Sequence, residues 1–240
     1  MALFDLQTLL RENAYPGRGI VTGLSQDGQS ALIAYFIMGR SVNSRNRVFE
    51  AFPGGMRTKA FDESKMADPS LIIYNPYLSF DNGRVDIVTN GDQTNTVLDA
   101  LQAGKSFTDA LMTREFEPDA PNFTPRISAI LHYDFAKKCL SYEMSILKSA
   151  DAAGSGCNRF FYRYHPVQGL GHFIHTYKCD GNPIPSFEGE PEPVGLPNTA
   201  QELCDLVWNS LNPDNKVSLL VRQIPLDGSA PTQLIVNKNQ

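Results

Sequence analysis

Two short turn sequences constrain the fold of this chain more than any other feature. Asp-Gly at 27–28 and Asp-Asn-Gly at 81–83 each separate two apolar stretches. Both are strong local signals for an antiparallel hairpin, because Asp, Asn and Gly tolerate the positive φ angles that a tight turn needs. A chain that repeats this signal is expected to build antiparallel sheets.

The rest of the chain continues the pattern of hairpins, with helices between them. Strands are predicted at 18–23, 30–38, 71–74, 84–89, 126–134, 139–148, 160–165, 171–178 and 217–223, and helices at 3–13, 93–103, 106–112 and 200–211. The strands at 126–134 and 139–148 are expected to pair, as are those at 160–165 and 171–178. This arrangement favours an α+β layered fold over a doubly wound parallel sheet.

One domain is expected over residues 1–240, because no shift in composition divides the chain. The segment at 180–198 is the one candidate boundary. It contains five prolines and four acidic residues, which predicts a loop or linker and not packed structure. The roughly 40 residues after it are too few for a core of their own without disulfides or a metal.

Charge and composition exclude several classes of function. The formal net charge is −5 at pH 7, whereas a protein that binds nucleic-acid backbone is usually basic. No apolar run approaches the ~20 residues of a transmembrane helix, and the N-terminal segment lacks the apolar core of a secretory signal. The four cysteines form no CxxC pair, so they are expected to be reduced thiols in a cytoplasmic protein.

The densest functional signal is a basic run at 40–59. It holds five cations and one acid, Glu50, with Ser and Asn residues between them. Guanidinium groups match phosphate oxygens, and hydroxyls and amides add neutral hydrogen bonds. The run predicts a phosphate pocket at a strand end, and a solvated loop paired with surface acids is the competing interpretation. The candidate residues are Arg40, Ser41, Asn43, Arg45 and Arg47.

Other polar candidates lie at the ends of predicted elements. Tyr74 and Tyr77 flank a proline, and Asn90 follows a predicted strand. Glu117 precedes a Pro-rich loop that ends in Arg126. Each is also compatible with ordinary turn or surface chemistry.

Two histidines, His172 and His175, have a spacing of three residues. On a helix this spacing suits a metal site, but on a strand it places the two rings on opposite faces. Because the segment is predicted to be a strand, no metal site is expected.

Taken together and in order, the motifs resemble the inosine monophosphate (IMP) cyclohydrolases of the archaeal type. The resemblance covers about residues 15–133, and residues 134–240 have no match in it. The matching pieces are Gly17-Arg18, Gly23, Ala34-Tyr35, Arg40-Ser41, 43–47, 75–77, 79–80, 88–91, 109–111, 116–117 and 124–127.

The resemblance implies a fold similar to that of the Ntn hydrolases. This is a four-layer αββα sandwich, with two antiparallel sheets stacked between helix layers. Ntn amidohydrolases use an N-terminal Cys, Ser or Thr as nucleophile, whereas this sequence begins Met1-Ala2. The fold would then be used without that chemistry, and a homo-oligomer is expected.

The resemblance also implies an activity and a substrate. A cyclohydrolase of this type, a hydrolase acting on cyclic amidine C–N bonds, converts 5-formamidoimidazole-4-carboxamide ribotide (FAICAR) to IMP with loss of water, in purine biosynthesis. No cofactor or metal is implied, and the partner is a small purine ribonucleotide, not nucleic acid or a membrane.

The residues that would carry this reaction follow from the matching motifs. Phosphate and ribose would bind Arg40, Ser41, Asn43, Arg45 and Arg47. Tyr74 or Tyr77 would donate to the formyl oxygen, and Glu117 would orient the carboxamide or move its proton. Asn90 and Arg126 would contact the base or order Glu117, and Arg18 would contact the substrate or pair with a carboxylate.

Three other functions are compatible with the sequence. An Ntn-type amide hydrolase would need an exposed N-terminal nucleophile after processing. A non-catalytic protein that binds purine nucleotides or phosphosugars would keep the pocket and bind IMP without turnover. A structural protein with a charged loop predicts no effect of such ligands.

Overall fold

Thirteen strands in the described part of the chain form two antiparallel sheets. The structure is a computed structural model that describes residues 3–66, 69 and 72–239. In chain order the elements are α1 (Leu6–Glu12), β1 (Arg18–Leu24), β2 (Ser30–Met38), α2 (Val42–Arg45), β3 (Arg47–Phe52), β4 (Gly55–Ala60), a 3₁₀ turn (Glu63–Lys65), β5 (Tyr77–Phe80), β6 (Val85–Thr89), α3 (Gln93–Gln102), α4 (Phe107–Met112), β7 (Arg126–Asp134), β8 (Cys139–Ser149), β9 (Cys157–Tyr164), β10 (Leu170–His175), β11 (Glu192–Gly195), α5 (Ala200–Ser210), β12 (Lys216–Pro225) and β13 (Thr232–Asn237).

Both predicted turn sequences join neighbouring antiparallel strands. The first sheet has the order β11-β10-β1-β2-β12-β13, and the second has the order β3-β4-β5-β6-β7-β8-β9. The backbone φ is +73° at Gly28, between β1 and β2, and +50°, +53° and +81° at 81–83, between β5 and β6. These hairpins are therefore confirmed, and so is the pairing of β7 with β8.

Three apolar clusters hold the layers together. The largest lies between the two sheets and includes Ile20 and Ile33 of the first and Ile127 and Met144 of the second. A second cluster lies between the outer face of the first sheet and helices α1 and α5. A third joins the outer face of the second sheet to α3 and α4. The α+β four-layer αββα sandwich is thus confirmed, while the closer likeness to Ntn hydrolases stays a prediction.

The predicted hairpin over 160–178 is wrong. β9 pairs with β8 in the second sheet, whereas β10 pairs with β1 in the first. The chain therefore crosses from one sheet to the other between these strands. Short apolar runs show that strands exist, but they do not show which partner each strand selects.

The basic run contains a hairpin that the sequence did not reveal. Along β3 and β4, buried Phe49 and Met56 face the core, while Arg57 and Lys59 point outward and pair with Glu50. High charge concealed the alternation of apolar and polar residues. β13, which forms the edge of the first sheet, was likewise not predicted.

The segment at 180–198 is packed, so its prediction as a loop without packing is wrong. It contains β11, which pairs with β10 at the edge of the first sheet. Ile184, Phe187, Val194 and Leu196 are buried. Proline is tolerated on an edge strand because the edge does not require every N–H group, and Pro193 lies in this position.

Two expectations fall partly outside the described residues. The strand predicted at 71–74 begins at Leu71, which is outside them, and β5 begins only at Tyr77. Met1 and Ala2, which bear on the N-terminal nucleophile, are also outside them. Within the described part of the chain, no helix has the length and apolarity needed to span a bilayer.

Candidate active site

A cavity of about 380 Å³ opens at the end of the sandwich where β1 begins and β2 ends. This volume lies within the range of ~300–1,000 Å³ that is usual for small-molecule sites. The lining residues are Tyr15, Arg18, Arg40, Ser41, Asn43, Ser44, Ile72, Glu117, Asp119, Asn122, Tyr177 and Ile184. They lie at the ends of strands of both sheets and in the loops next to them. The cavity therefore forms only where the two sheets meet.

Glu117 is a buried carboxyl group in the wall of this cavity. It is 2% exposed, and its main-chain N–H donates to the carbonyl of Thr124 at 2.9 Å, which closes the loop between them. Burial raises the pKa of Glu117 to about 7, although Arg18 and Arg126 attract the charged form. The group can therefore both accept and donate a proton near neutral pH.

Arg18 carries the charge that faces Glu117. It is buried at the start of β1. Burial opposes its charge, but the Glu117 carboxylate and the phenols of Tyr177 and Tyr74 hold the pKa of Arg18 above its ordinary value. Among the described residues, Arg18 Nε has no hydrogen-bond partner. A buried cation of this kind suits an anion or a developing negative charge.

Gly91 allows Arg126 and Glu117 to approach the same point of the backbone. A Cβ atom at position 91 would lie 2.4 Å from Arg126 Nη1 and 3.4 Å from Glu117 Oε1. Arg126 Nη1 also donates to Gln93 Oε1 at 2.7 Å and pairs with Asp92 Oδ1 at 2.8 Å. Arg126 is thus fixed by the start of α3 and helps to set the electrostatics of the carboxyl group.

Arg40 lies at the mouth of the cavity. Its Nη1 contacts the Asp180 carboxylate and donates to the carbonyl of Gly181 at 2.8 Å. The guanidinium carbon is 5.0 Å from the centre of the Tyr15 ring, which is a cation–π distance. The mouth therefore presents an oriented cation that is held by side chains from two parts of the chain.

Two hydroxyl groups stand beside Arg40. Ser41 precedes α2, and its Oγ accepts from the main-chain N–H of Ser44 at 3.0 Å. In return, Ser44 Oγ accepts from the main-chain N–H of Ser41 at 3.0 Å. Asn43 lines the cavity next to them. This capping box fixes a compact polar surface next to a guanidinium group.

Comparison with known proteins assigns the family. A family model described as "IMP cyclohydrolase-like protein" matches residues 15–228. The chain belongs to this family. The match continues past residue 133, where the resemblance carried by the short motifs ended.

Curated relatives agree with the assignment. An IMP cyclohydrolase of Methanopyrus kandleri is 33% identical over 124 residues, which are 48% of this chain and 58% of the relative. An IMP cyclohydrolase of Methanococcus maripaludis is 31% identical over 134 residues, which are 51% of this chain and 60% of the relative. The aligned part spans less than two thirds of either relative. The resemblance to archaeal-type members of the family is confirmed.

The structure of this IMP cyclohydrolase-like chain brings together several of the predicted site residues. They come from separate motifs, and their side chains line one cavity. These residues are Arg18, Arg40, Ser41, Asn43 and Glu117.

Tyr77 lies elsewhere, and the expectation that it contacts the ligand is corrected. Its hydroxyl donates to Asp86 Oδ1 at 2.7 Å, and Arg222 lies over its ring with 4.5 Å to the ring centre. It does not belong to the described lining of the cavity. The cause is its position as the first residue of β5, which directs the ring into the core between the sheets.

Tyr74, the other phenol, lies closer to the site. Its hydroxyl is 2.8 Å from the Tyr35 hydroxyl, and its phenol lies near enough to Arg18 to influence the charge of that group. Tyr74 is buried, so it supports the wall of the cavity behind Arg18.

Two of the predicted arginines support the loop that carries Arg40. Arg47 is fully buried, and its Nε donates to the carbonyl of Ser44 at 2.8 Å while Nη2 donates to that of Met38 at 3.2 Å. Arg45 Nε donates to the carbonyl of Gly39 at 2.9 Å. Neither lines the described cavity. The expected contact of Arg47 with phosphate is therefore corrected to support of the loop, because its side chain is fully buried. Contact of Arg45 with phosphate stays a prediction.

Asn90 has a similar supporting place. Its amide donates to the carbonyl of Pro125 at 2.9 Å and accepts from the main-chain N–H of Ile127 at 2.8 Å. It also accepts from Gln93 at 3.0 Å. Asn90 thus fixes the backbone on both sides of Arg126, and it does not reach the described lining.

Sequence reasoning missed the contributions from the second half of the chain. Tyr177 lines the cavity and its hydroxyl is 2.6 Å from Thr124 Oγ1, which in turn contacts Asp119. Ile184 comes from the segment that was predicted to be an unpacked loop. Asp119 could have been found from the sequence, because it is an acidic residue in the same loop as Glu117. No local sequence signal indicates that Tyr177 belongs to the site.

The two histidines are held separately. His172 Nδ1 lies 2.7 Å from the Tyr142 hydroxyl, on the side that faces the second sheet. His175 Nδ1 lies 2.8 Å from the carbonyl of Tyr177, and its ring stacks on Phe173. Among the described residues, no group of three or more His, Cys, Asp or Glu side chains is placed to hold a metal ion.

Proposed function

We propose that the protein is an IMP cyclohydrolase that closes the pyrimidine ring of FAICAR and releases water. The observation that carries this proposal is the Glu117 carboxyl, which is buried in the cavity wall beside Arg18 and whose pKa is about 7. Membership of the family supports it.

The reaction needs two proton movements and one stabilised oxygen. The carboxamide nitrogen forms a bond to the formyl carbon and loses a proton, while the formyl oxygen gains a proton. The cyclic intermediate then loses this hydroxyl group, with a second proton from nitrogen, as water. Both reacting groups belong to one molecule, and holding them in attack geometry supplies up to ~7–11 kcal/mol.

Glu117 is the proposed proton carrier. Its carboxylate accepts the proton from the carboxamide nitrogen and passes it to the formyl oxygen, which becomes a hydroxyl group. It then accepts the second proton from the formamido nitrogen and passes it to that hydroxyl group, which leaves as water. A general acid–base group works best when its pKa is close to the working pH, and burial brings the pKa of Glu117 to about 7.

Arg18 is the proposed donor to the formyl oxygen. It is buried and lies close enough to interact with Glu117. Charge that develops on oxygen is stabilised most by donors that are already oriented in a site shielded from water. Tyr74 replaces Tyr77 as the phenol that supports this part of the site.

The mouth of the cavity is the proposed phosphate subsite. Arg40 supplies the cation, and Ser41 with Ser44 supplies hydroxyl groups. Arg45 and Arg47 hold the main chain of this loop. The phosphate would then lie at the surface and the reacting ring near Glu117.

A direct assay tests the proposal. We would incubate the purified protein with FAICAR and follow IMP formation for the wild type, Arg40→Ala and Arg57→Ala. Arg57 is a matched control, because it belongs to the same basic run but pairs with Glu50 on the outward face of β3 and β4. We expect turnover in the wild type, a KM raised about tenfold or more in Arg40→Ala, and a KM in Arg57→Ala close to that of the wild type.

The results have definite consequences. Absence of turnover in the wild type would reject the cyclohydrolase. If IMP still raised the melting temperature, the chain would be a nucleotide-binding protein. An equal rise of KM in both variants would show that only the general positive charge of the run matters.

A further inference from the structure

A short segment of the second half of the chain reaches the mouth of the cavity. Its base is fastened by the main chain: Lys178 N–H donates to the carbonyl of Pro185 at 2.9 Å, and Phe187 N–H donates to that of Thr176 at 2.9 Å. We call residues 179–184 the tip segment. It carries Asp180 next to Arg40, and Ile184 in the cavity lining.

The tip segment is attached to the site mainly through side chains. Arg40 binds both the carboxylate of Asp180 and the carbonyl of Gly181. At the other end, the main-chain N–H of Ile184 donates to Asn122 Oδ1 at 3.1 Å. Residues 180–181 can therefore shift without breaking the backbone hydrogen bonds at the base, while Ile184 stays buried.

We propose that Asp180 competes with the phosphate of the ligand for Arg40, so that binding of a phosphate monoester displaces Asp180 and Gly181 from this guanidinium group. Asp180 is then a specificity-determining residue, which sets how much affinity a 5′-phosphate contributes. This inference rests on the phosphate subsite of the proposed function. It uses a residue from the part of the chain that no short motif identified.

Charge decides the competition. The Asp180 carboxylate carries one negative charge, whereas a phosphate monoester carries about −1.5 to −2 at pH 7. The attraction to a single guanidinium grows with the charge of its partner. A phosphate bound to Arg40 would also repel a carboxylate that remained in contact with the same group.

The pair between Arg40 and Asp180 is weak enough to be displaced. The side chain of Arg40 is 35% exposed and that of Asp180 is 47% exposed. Ion pairs with this exposure contribute little, because water and salt screen them. Loss of the competing carboxylate should therefore tighten phosphate binding by only about two- to fivefold.

Calorimetric titration of three forms of the protein tests the inference. The forms are the wild type, Asp180→Asn, and Glu188→Gln as a matched control. Glu188 pairs with Lys178 at 2.8 Å near the base of the same segment and is exposed. The substitution Glu188→Gln removes an acidic charge beside the tip segment, from a residue that does not contact Arg40. The probes are inorganic phosphate, IMP and inosine, at constant ionic strength.

We expect Asp180→Asn to bind phosphate and IMP about two- to fivefold more tightly than the wild type. Inosine, which lacks the phosphate, should bind both forms equally. Glu188→Gln should match the wild type with all three probes. This pattern would assign the effect to the contact with Arg40 and not to the overall charge.

Other results would overturn the inference. Weaker binding of IMP by Asp180→Asn would make Asp180 a direct ligand contact, for example to the ribose hydroxyls. Equal affinities in all three forms, or no binding of inorganic phosphate by any of them, would show that Asp180 does not compete with phosphate for Arg40. Tighter phosphate binding in Asp180→Asn without conversion of FAICAR would retain the inference and reject the proposed reaction.

Discussion

Two buried carboxyl groups occupy opposite ends of the sandwich, and only one of them is available for chemistry. Glu117 lies beyond the end of β6 where Thr89 leads into Gly91. Asp86 lies near the other end of the same strand, beside the turn at 81–83. Burial raises the pKa of both groups. A raised pKa therefore does not by itself distinguish a functional acid.

Their hydrogen-bond partners make the difference. Asp86 accepts from the Tyr77 hydroxyl at 2.7 Å and from the Tyr133 hydroxyl at 3.0 Å. Among the described residues, no side chain donates to the Glu117 carboxyl, which interacts with Arg18 and Arg126 only through charge. Asp86 also borders a cavity, of about 170 Å³, but each of its two oxygens is held by a phenol, whereas Glu117 keeps its oxygens for a ligand.

The largest expected effect is on turnover at Glu117. Glu117→Gln keeps the size of the side chain but cannot carry a proton, so kcat should fall about 10²–10⁴-fold. The measurement is steady-state conversion of FAICAR, with circular dichroism to establish that the variant is folded. Turnover within threefold of the wild type would exclude Glu117 as the proton carrier.

The next effect is on stability at Asp86. Asp86→Ala leaves the hydroxyls of Tyr77 and Tyr133 without their acceptor and removes the charge near Arg222, which should cost about 3–5 kcal/mol of unfolding free energy. Urea denaturation measures it. The kcat of the remaining folded protein should be unchanged. A loss of kcat without a loss of stability would contradict the assignment of Asp86 to a structural role.

A third prediction concerns the pH dependence of stability. The pKa of Glu117 rises from 4.5 to about 7 on folding, so the folded protein binds more protons than the unfolded chain between these values. The contribution of Glu117 to stability is complete below about pH 4.5 and is lost as the pH rises through about 7. The change is of the order of 3 kcal/mol.

Glu117→Gln provides the control for this pH dependence. Chemical denaturation from pH 4.5 to 8 should show a smaller decline in stability for the variant than for the wild type. Any decline that remains in the variant includes the contribution of Asp86, whose pKa is also raised by burial. Identical slopes would mean that Glu117 titrates in the folded protein as it does in the unfolded chain.

The smallest effect is expected at Tyr77. Tyr77→Phe removes one of the two phenol donors to Asp86 and should cost about 1 kcal/mol, while KM and kcat stay as in the wild type. Thermal unfolding and the FAICAR assay measure the two quantities. A tenfold loss of kcat in Tyr77→Phe would show that the Tyr77 phenol takes part in catalysis.

Local sequence signals predicted the elements that depend on neighbouring residues. The turns at 27–28 and 81–83 and the helix at 200–211 were all predicted, and the structure has them. The pairing of β10 with β1 was not, because these two strands are distant in the chain. A burial pattern shows which face of a strand is apolar, but it does not identify the neighbouring strand.

The candidate site divides in the same way. Arg40 was singled out from the basic run, which suits a phosphate, and Glu117 as a loop carboxylate, whereas Arg18 was named only through the family resemblance. Tyr177, which lines the cavity, and Asp180, which contacts Arg40 at its mouth, were not. Both follow β10, a strand from the second half of the chain that joins the first sheet.

By itself, the sequence determined the antiparallel hairpins, the layered α+β class and the set of charged residues from which a site could be built. Only the tertiary structure decided that Glu117 faces a cavity while Tyr77 and Asp86 bond to each other. The physical reason is that turns and side-chain alternation depend on adjacent residues. Burial, pKa and access to a ligand depend instead on how two sheets and their loops enclose space.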